Sequence, residues 1–176
     1  MHTLILGGVR SGKSRLAEAR ARASGFPVTY VATAVGGDEE MRARIAAHRA
    51  RRPVHWLTVE EPLALGATLL RHAAADRVLL VECLTLWFSN LLHTEASRRE
   101  AECAALLETL PQLPGEVLFV GNETGLGIIP SADLARRYCD LAGEMHQALA
   151  RHCERVLFTV AGLPHALKGT QWPTPG

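Results

Sequence analysis

The segment Gly7-Gly8-Val9-Arg10-Ser11-Gly12-Lys13-Ser14 matches the phosphate-binding pattern G-x-x-x-x-G-K-[ST] at every fixed position. It follows a short apolar run at residues 3–6, which predicts a buried strand, and it leads into a helical pattern that starts at Ser14. In such a strand–turn–helix unit, glycines let backbone N–H groups approach a phosphate, and the helix N-terminus adds further donors. The alternative is a glycine-rich turn that merely ends a strand, but the lysine and hydroxyl at the required spacing argue against it. All eight residues are therefore predicted to bind nucleotide.

Three side chains are candidates for phosphate and metal chemistry. The pattern predicts that Lys13 reaches the β- and γ-phosphates and acts in catalysis, and that the Ser14 hydroxyl binds Mg²⁺. Glu82 ends the apolar run of residues 78–81, and P-loop proteins hold their metal at such a strand end, directly or through water. We therefore predict that Ser14 and Glu82 bind the metal. The alternative for Glu82 is a strand-end carboxylate that only faces solvent.

Apolar runs alternate with helical patterns along the rest of the chain. We predict strands at residues 28–32, 56–59, 78–81, 117–120 and 155–160, and helices at 38–51, 61–73, 84–95 and 97–110. Ser97 and Glu100 have capping-box spacing, and Ser131 is the predicted cap of a last, long helix. The alternation predicts an α/β fold of the P-loop NTPase (RecA-like) type, a mostly parallel sheet with helices on both faces. Ligands should lie at the carboxyl ends of its strands.

Composition bounds the function classes. The 176 residues, 48% of them hydrophobic, suit one domain, which we place at residues 1–168. The chain is rich in Pro and Gly from Gly162, so we expect it to be loose there and assign residues 169–176 to a C-terminal tail. A formal net charge of +1 argues against a nucleic-acid partner. The absence of a long apolar run or signal-peptide pattern, with four scattered cysteines, predicts a cytoplasmic protein without a membrane span.

His48 is the second candidate catalytic residue. Helical spacing places three arginines near it: Arg44, Arg51 and Arg52. Positive neighbours disfavour the imidazolium form, and a neutral imidazole is a nucleophile beside groups that can hold a triphosphate. On spacing alone, the alternative is that His48 continues the apolar stripe of its helix.

Four stretches together resemble one enzyme family. They are the P-loop motif, His48-Arg49-Ala50-Arg51-Arg52-Pro53-Val54-His55-Trp56, Val81-Glu82-Cys83-Leu84-Thr85-Leu86-Trp87 with Asn90-Leu91, and Asn122-Glu123-Thr124-Gly125-Leu126-Gly127-Ile128-Ile129-Pro130. In this order they are similar to the bifunctional adenosylcobinamide kinase / adenosylcobinamide-phosphate guanylyltransferase family of cobalamin biosynthesis. The resemblance covers nearly the whole chain. Many families share a P-loop, whereas the second and fourth stretches are much more specific.

The resemblance implies two reactions on one chain. ATP or GTP first phosphorylates the aminopropanol hydroxyl of adenosylcobinamide. A histidine, matched here by His48, then takes GMP from GTP and passes it to adenosylcobinamide phosphate, which gives adenosylcobinamide-GDP. His55 is expected to be structural. The implied partners are GTP, ATP and the corrinoid, with Mg²⁺ or a similar divalent cation as cofactor, and the implied assembly is a homo-oligomer, with a trimer as the candidate state.

The resemblance also implies nucleotide contacts outside the P-loop, at Ala32, Thr33, Ala34, Arg49, Ala50, Arg51, Arg52 and Glu60. Residues 122–130 follow a buried strand and contain two glycines, so we predict a substrate-binding loop there, with a plain connecting loop as the alternative. The chain departs from the family pattern at two positions. An arginine is usual where Cys139 stands, and an asparagine is usual where His146 stands.

Two other functions compete with this interpretation. A plain small-molecule or nucleotide kinase would share the P-loop but would not need His48. A non-enzymatic nucleotide switch is weaker, because the guanine-reading motif N-K-x-D is absent. The nearest match, Asn122-Glu123-Thr124-Gly125, lacks both its lysine and its aspartate. A covalent GMP–protein adduct would separate the first function from the other two.

Overall fold

A computed structural model of the protein describes residues 1–35, 39 and 53–173. Its strands are β1 (His2–Gly7), β2 (Val28–Ala32), β3 (Leu57–Glu60), β4 (Val78–Glu82), β5 (Glu116–Asn122), β6 (Arg155–Val160) and β7 (Leu163–Lys168). Its helices are α1 (Lys13–Ala23), α2 (Leu65–His72), α3 (Leu84–Leu92), α4 (Ala96–Thr109) and α5 (Asp133–His152). The 3₁₀ turn Leu110–Gln112 follows α4. Apart from residue 39, the helix predicted at residues 38–51 lies outside the described residues.

The strands form one seven-stranded sheet in the order β3-β2-β4-β5-β1-β6-β7. Every neighbouring pair is parallel except β6 and β7, which are antiparallel. The register places Gly7, the last residue of β1, beside Asn122 of β5 and Thr159 of β6. The glycine-rich loop therefore begins at the carboxyl edge of the sheet, the edge at which ligands were expected to lie.

The core has two layers because successive strand residues point to opposite faces of the sheet. Leu4 and Leu6 pack with helices α2 to α5 on one face, whereas Ile5 packs with α1 on the other. Trp56 and Trp172 complete the α1 side. The predicted mostly parallel sheet with helices on both faces is thus confirmed. Within the described ranges, no helix combines the length and apolarity needed to cross a membrane.

Three predicted helix starts are wrong. The helix predicted from Glu61 begins at Leu65, because the Glu61 carboxylate accepts hydrogen bonds from the N–H groups of residues 63 and 64, at 2.9 and 2.8 Å, and closes a turn first. Helix α4 begins at Ala96 and α5 at Asp133, and neither has a side-chain cap hydrogen bond. The predicted caps at Ser97 and Ser131 are therefore not used.

The chain beyond Gly162 is not loose as expected, because residues 163–168 form β7. Ala161 and Gly162 both have positive φ, 51° and 81°, the conformation that favours a tight two-residue hairpin. The Gly162 N–H also donates to the Ser11 carbonyl at 2.9 Å, which links this hairpin to the glycine-rich loop. β7 is an edge strand, the position in a sheet where Pro164 is tolerated.

Trp172 holds the chain end against the α1 side of the sheet. Its side chain is buried, and the guanidinium groups of Arg20 and Arg155 lie 5.8 and 5.0 Å from its ring centroid. Arg155 also donates to the carbonyl and hydroxyl oxygens of Thr170 at 2.9 and 2.7 Å. Thr170 and Trp172 are thus held by contacts with Arg155, and residues 174–176 lie outside the described range. The assignment of residues 169–176 to a loose tail stays a prediction. The domain division at residue 168 stays a prediction.

Candidate active site

The glycine-rich loop fits closely against the neighbouring strand. A Cβ atom at Gly7 would lie 2.5 Å from the Thr159 carbonyl oxygen and 2.6 Å from the Ser11 hydroxyl, so only glycine fits there. The Ser11 N–H donates to the Gly8 carbonyl at 3.2 Å and turns the chain. Gly12 has φ 98° and precedes the first residue of α1. The loop therefore places the N-terminus of α1 at the carboxyl edge of the sheet. The N–H groups of the first turn of a helix favour a bound anion.

Lys13 lies inside this loop rather than extending into solvent. The residue is only 7% exposed, and its ammonium group donates to the Gly8 carbonyl at 2.8 Å. Burial lowers the pKa of Lys13, and the nearby Glu82 carboxylate partly opposes that shift. A positive charge is thus held where the loop backbone turns, the position that the sequence pattern assigns to a phosphate-binding lysine.

Ser14 and Glu82, the predicted metal-binding residues, are in direct contact. The Ser14 hydroxyl at the start of α1 donates to Glu82 Oε1 at the end of β4, at 2.6 Å. Hydroxyl and carboxylate oxygens are ligands that Mg²⁺ accepts, and Mg²⁺ needs only one or two protein groups when phosphates and water complete its shell. Among the described residues, no group of three or more His, Cys, Asp or Glu forms a metal cage. The two oxygen donors of Ser14 and Glu82 therefore suit Mg²⁺ bound together with phosphate and water.

Thr33 supports the strand end that carries Glu82. Its buried hydroxyl donates to the Cys83 carbonyl at 2.7 Å and accepts from the Cys83 N–H at 2.9 Å. Its own N–H donates to the Glu82 carbonyl at 3.2 Å, and the side-chain amide of Asn90 donates to the Thr33 carbonyl at 2.8 Å. Sequence reasoning missed this network, because contacts between Thr33 and residues 49 or more positions away leave no local pattern.

The remaining predicted site residues divide into two groups. Ala32 pairs in register with Glu60 on one side and Glu82 on the other, so these three residues share the carboxyl edge. Ala32 is buried, Ala34 is half-buried, and Glu60 is exposed. His48, Arg49, Ala50, Arg51 and Arg52 lie outside the described residues. His55 is exposed and stays a prediction as a structural residue.

The predicted substrate-binding loop, residues 122–130, starts beside the P-loop. The Glu123 N–H donates to the Gly7 carbonyl at 3.0 Å, and the Asn122 N–H donates to the Thr85 hydroxyl of α3 at 2.7 Å. Beyond this anchor the loop faces solvent, with Leu126 and Ile128 largely exposed. The loop and the glycine-rich turn therefore border the same part of the carboxyl edge.

A family model described as cobinamide kinase / cobinamide phosphate guanyltransferase matches residues 3–167. The chain belongs to this family. It is 62% identical over 170 residues to the bifunctional adenosylcobalamin biosynthesis protein CobP of Pseudomonas aeruginosa, with 96% of this chain and 98% of that protein covered. It is 37% identical over 182 residues to the bifunctional protein CobU of Escherichia coli K12, with 96% and 100% covered. The predicted family and enzyme class are confirmed.

Solved structures of other proteins share the fold of this chain. The RadB recombinase aligns with a TM-score of 0.53 at 17% identity, over 98% of this chain and 83% of that one. A protein of Pyrococcus horikoshii OT3 aligns with a TM-score of 0.57 at 9% identity, over 99% and 89%. At such identities the likeness speaks for the fold alone, and it confirms the predicted RecA-like architecture.

Proposed function

We propose that this family member phosphorylates adenosylcobinamide with ATP or GTP and then transfers GMP to the phosphorylated product, which yields adenosylcobinamide-GDP. The observation that carries the proposal is the contact between Ser14 of the P-loop and Glu82 of β4, 2.6 Å apart, beside the buried Lys13. This arrangement at the carboxyl edge suits phosphoryl transfer, and family membership names the acceptor class.

In the first reaction, the P-loop residues bind and orient the nucleoside triphosphate. Lys13 neutralises charge on the β- and γ-phosphates, and backbone N–H groups of the loop bind the same oxygens. Ser14 and Glu82 would hold Mg²⁺, which when bound offsets charge on the phosphates. The acceptor hydroxyl then attacks the γ-phosphorus, and the nucleoside diphosphate leaves with the electrons of the broken P–O bond.

In the second reaction, His48 acts as the covalent carrier. Its neutral imidazole attacks the α-phosphorus of GTP, so an N–P bond forms and pyrophosphate leaves. The phosphate of adenosylcobinamide phosphate then attacks the same phosphorus, which breaks the N–P bond and frees the histidine. The arginines that follow, Arg49, Arg51 and Arg52, would hold the triphosphate. This step rests on the sequence motif, because residues 48–52 are not described.

Further nucleotide contacts are proposed from the resemblance at Ala32, Thr33, Ala34, Ala50 and Glu60. Their shared edge with Glu82 supports this for Ala32 and Glu60. We also propose that the protein works in the cytoplasm as a homo-oligomer, with a trimer as the state to test.

The test is product analysis with purified protein, adenosylcobinamide and Mg²⁺. With ATP alone, the corrinoid should gain one phosphate. With GTP, a second product carrying GMP should follow, together with pyrophosphate. A plain kinase would stop at the phosphorylated corrinoid in both reactions. If no phosphorylated corrinoid forms with either nucleotide, the proposed function is wrong.

A further inference from the structure

His146 of α5 is a buried histidine directly beneath the start of the predicted substrate-binding loop. It is 7% exposed, and its ring packs edge-on against Phe88, with centroids 5.6 Å apart. Its Nε2 faces Gly121, where an added Cβ would come within 3.2 Å. Its Nδ1 lies 3.8 Å from Glu123 Oε2. The ring therefore fills the space between α5 and the last residues of β5.

Glu123 connects three parts of the site. Its N–H donates to the Gly7 carbonyl at 3.0 Å, which ties it to the P-loop. Its Oε1 accepts from the Gly125 N–H at 2.6 Å, which closes the first turn of the loop. Its Oε2 faces His146. The Glu123 carboxylate thus links the first turn of the loop to α5. The Glu123 backbone N–H links the same loop to the P-loop.

The His146 ring is suited to orient this carboxylate. Burial lowers the pKa of His146, and the Glu123 carboxylate partly offsets that shift, so the ring is neutral near neutral pH. With its proton on Nδ1, the ring directs an N–H dipole at the carboxylate. At 3.8 Å the contact between the neutral ring and the carboxylate is longer than a hydrogen bond, so the ring dipole, and not a hydrogen bond or an ion pair, orients Glu123.

The tip of the loop differs chemically from the nucleotide side of the edge. Residues 125–130 carry no charged side chain, and Leu126, Ile128 and Ile129 are 79%, 97% and 79% exposed. Phosphates call for cations and N–H donors, which the P-loop supplies. A cluster of exposed aliphatic side chains instead suits a large organic acceptor with methylated ring edges. A corrinoid is such an acceptor.

We propose that His146 and Glu123 are positioning residues for the acceptor, and that the apolar tip of Leu126, Ile128 and Ile129 contacts the corrinoid rather than the nucleotide. The proposal rests on the proposed function, because it takes the corrinoid as the substrate of that site. The hydrogen bond from the Glu123 N–H to the Gly7 carbonyl attaches the start of this loop to the P-loop.

The experiment measures KM for adenosylcobinamide, KM for nucleotide and kcat in the phosphorylation reaction. His146→Leu keeps an apolar side chain of similar size without the donor, and we expect KM for the corrinoid to rise about fivefold, as for loss of one polar contact. Nucleotide KM should not change. His146→Asn, which keeps a donor near the Nδ1 position, should recover most of the affinity. Glu144→Gln, an exposed charge change on the same helix, is the matched control.

Ile128→Ser keeps the test decisive if a substitution at buried His146 impairs folding, because Ile128 is 97% exposed. It should raise KM for the corrinoid alone. An unchanged corrinoid KM in Ile128→Ser, or an equal rise in nucleotide KM in His146→Leu, would overturn the proposal. The proposal would also be overturned if the Ile128→Ser oligomer dissociated in sedimentation while its KM for the corrinoid stayed unchanged. The loop tip would then be a contact between subunits. A parent protein that does not phosphorylate adenosylcobinamide would instead refute the proposed function itself.

Discussion

Lys13→Met should abolish most nucleotide chemistry while leaving the fold intact. The substitution keeps the aliphatic stem but removes a charge placed to neutralise reacting phosphates, and loss of one such group costs about 10²–10³ in kcat. Stability should change little. The hydrogen bond to the Gly8 carbonyl is lost, but burial lowers the pKa of Lys13, so folding already disfavours its charged form. These two effects oppose each other, and we expect the free energy of unfolding to change by no more than about 1 kcal/mol.

The chain offers a matched control, because Lys168 is its only other lysine. Lys168 also donates to backbone carbonyls, those of Ala150 and Arg151 at the end of α5, at 2.8 and 3.3 Å. Lys168→Met should leave the phosphorylation rate unchanged and weaken the helix end slightly. The assay is the initial rate of corrinoid phosphorylation at saturating nucleotide, beside urea unfolding of all three proteins. If Lys13→Met kept its rate within about threefold of the parent, the reasoning about Lys13 would be refuted.

Three further predictions concern the metal, the chain end and pH. Glu82→Gln should reduce phosphorylation about 10–100-fold with partial recovery at raised Mg²⁺, and an unchanged Mg²⁺ dependence would contradict a metal role. Trp172→Ala should lower the free energy of unfolding by about 3 kcal/mol in urea titrations, and a loss near zero would mean that the buried ring adds nothing. Burial lowers the pKa of His2 and His146 from 6.5 in the folded protein. Below that pH the unfolded chain therefore binds more protons than the folded protein does. Stability should therefore decrease as pH falls from about 7 to about 5, and His146→Leu should reduce that slope; an unchanged slope would rule out His146 as a source.

The sequence predicted the phosphate-binding side of the site because each of its parts has a local pattern. The P-loop spacing indicated a strand, a turn and a helix, and the apolar run ending in Glu82 indicated a buried strand. Parallel strands align their carboxyl ends, so Ser14 and Glu82 could be expected to meet although 68 positions separate them.

The sequence did not predict features that depend on tertiary contacts. β7 contains a proline and follows a glycine, a composition that is typical of a loop. The chain nevertheless turns at Ala161 and Gly162, which have positive φ, and β7 pairs with β6 as a hairpin. Trp172 is buried because it packs into the apolar cluster on the α1 side of the sheet, with Arg20 and Arg155 near its ring, and all of these contacts are distant in sequence. The predicted helix starts were wrong for different reasons. The Glu61 carboxylate closes a turn before α2, whereas α4 and α5 begin without a side-chain cap hydrogen bond.

The most direct test of the central claim is covalent labelling with GTP radiolabelled at the α-phosphate. The parent protein should retain label after denaturation, and the bond should be labile to acid and stable to alkali, as for phosphorus on an imidazole nitrogen. Peptide mapping should place it on His48, and His48→Asn should lose both the label and GMP transfer while it still phosphorylates the corrinoid. No label on the parent, or label that persists in His48→Asn, would contradict a guanylylated His48.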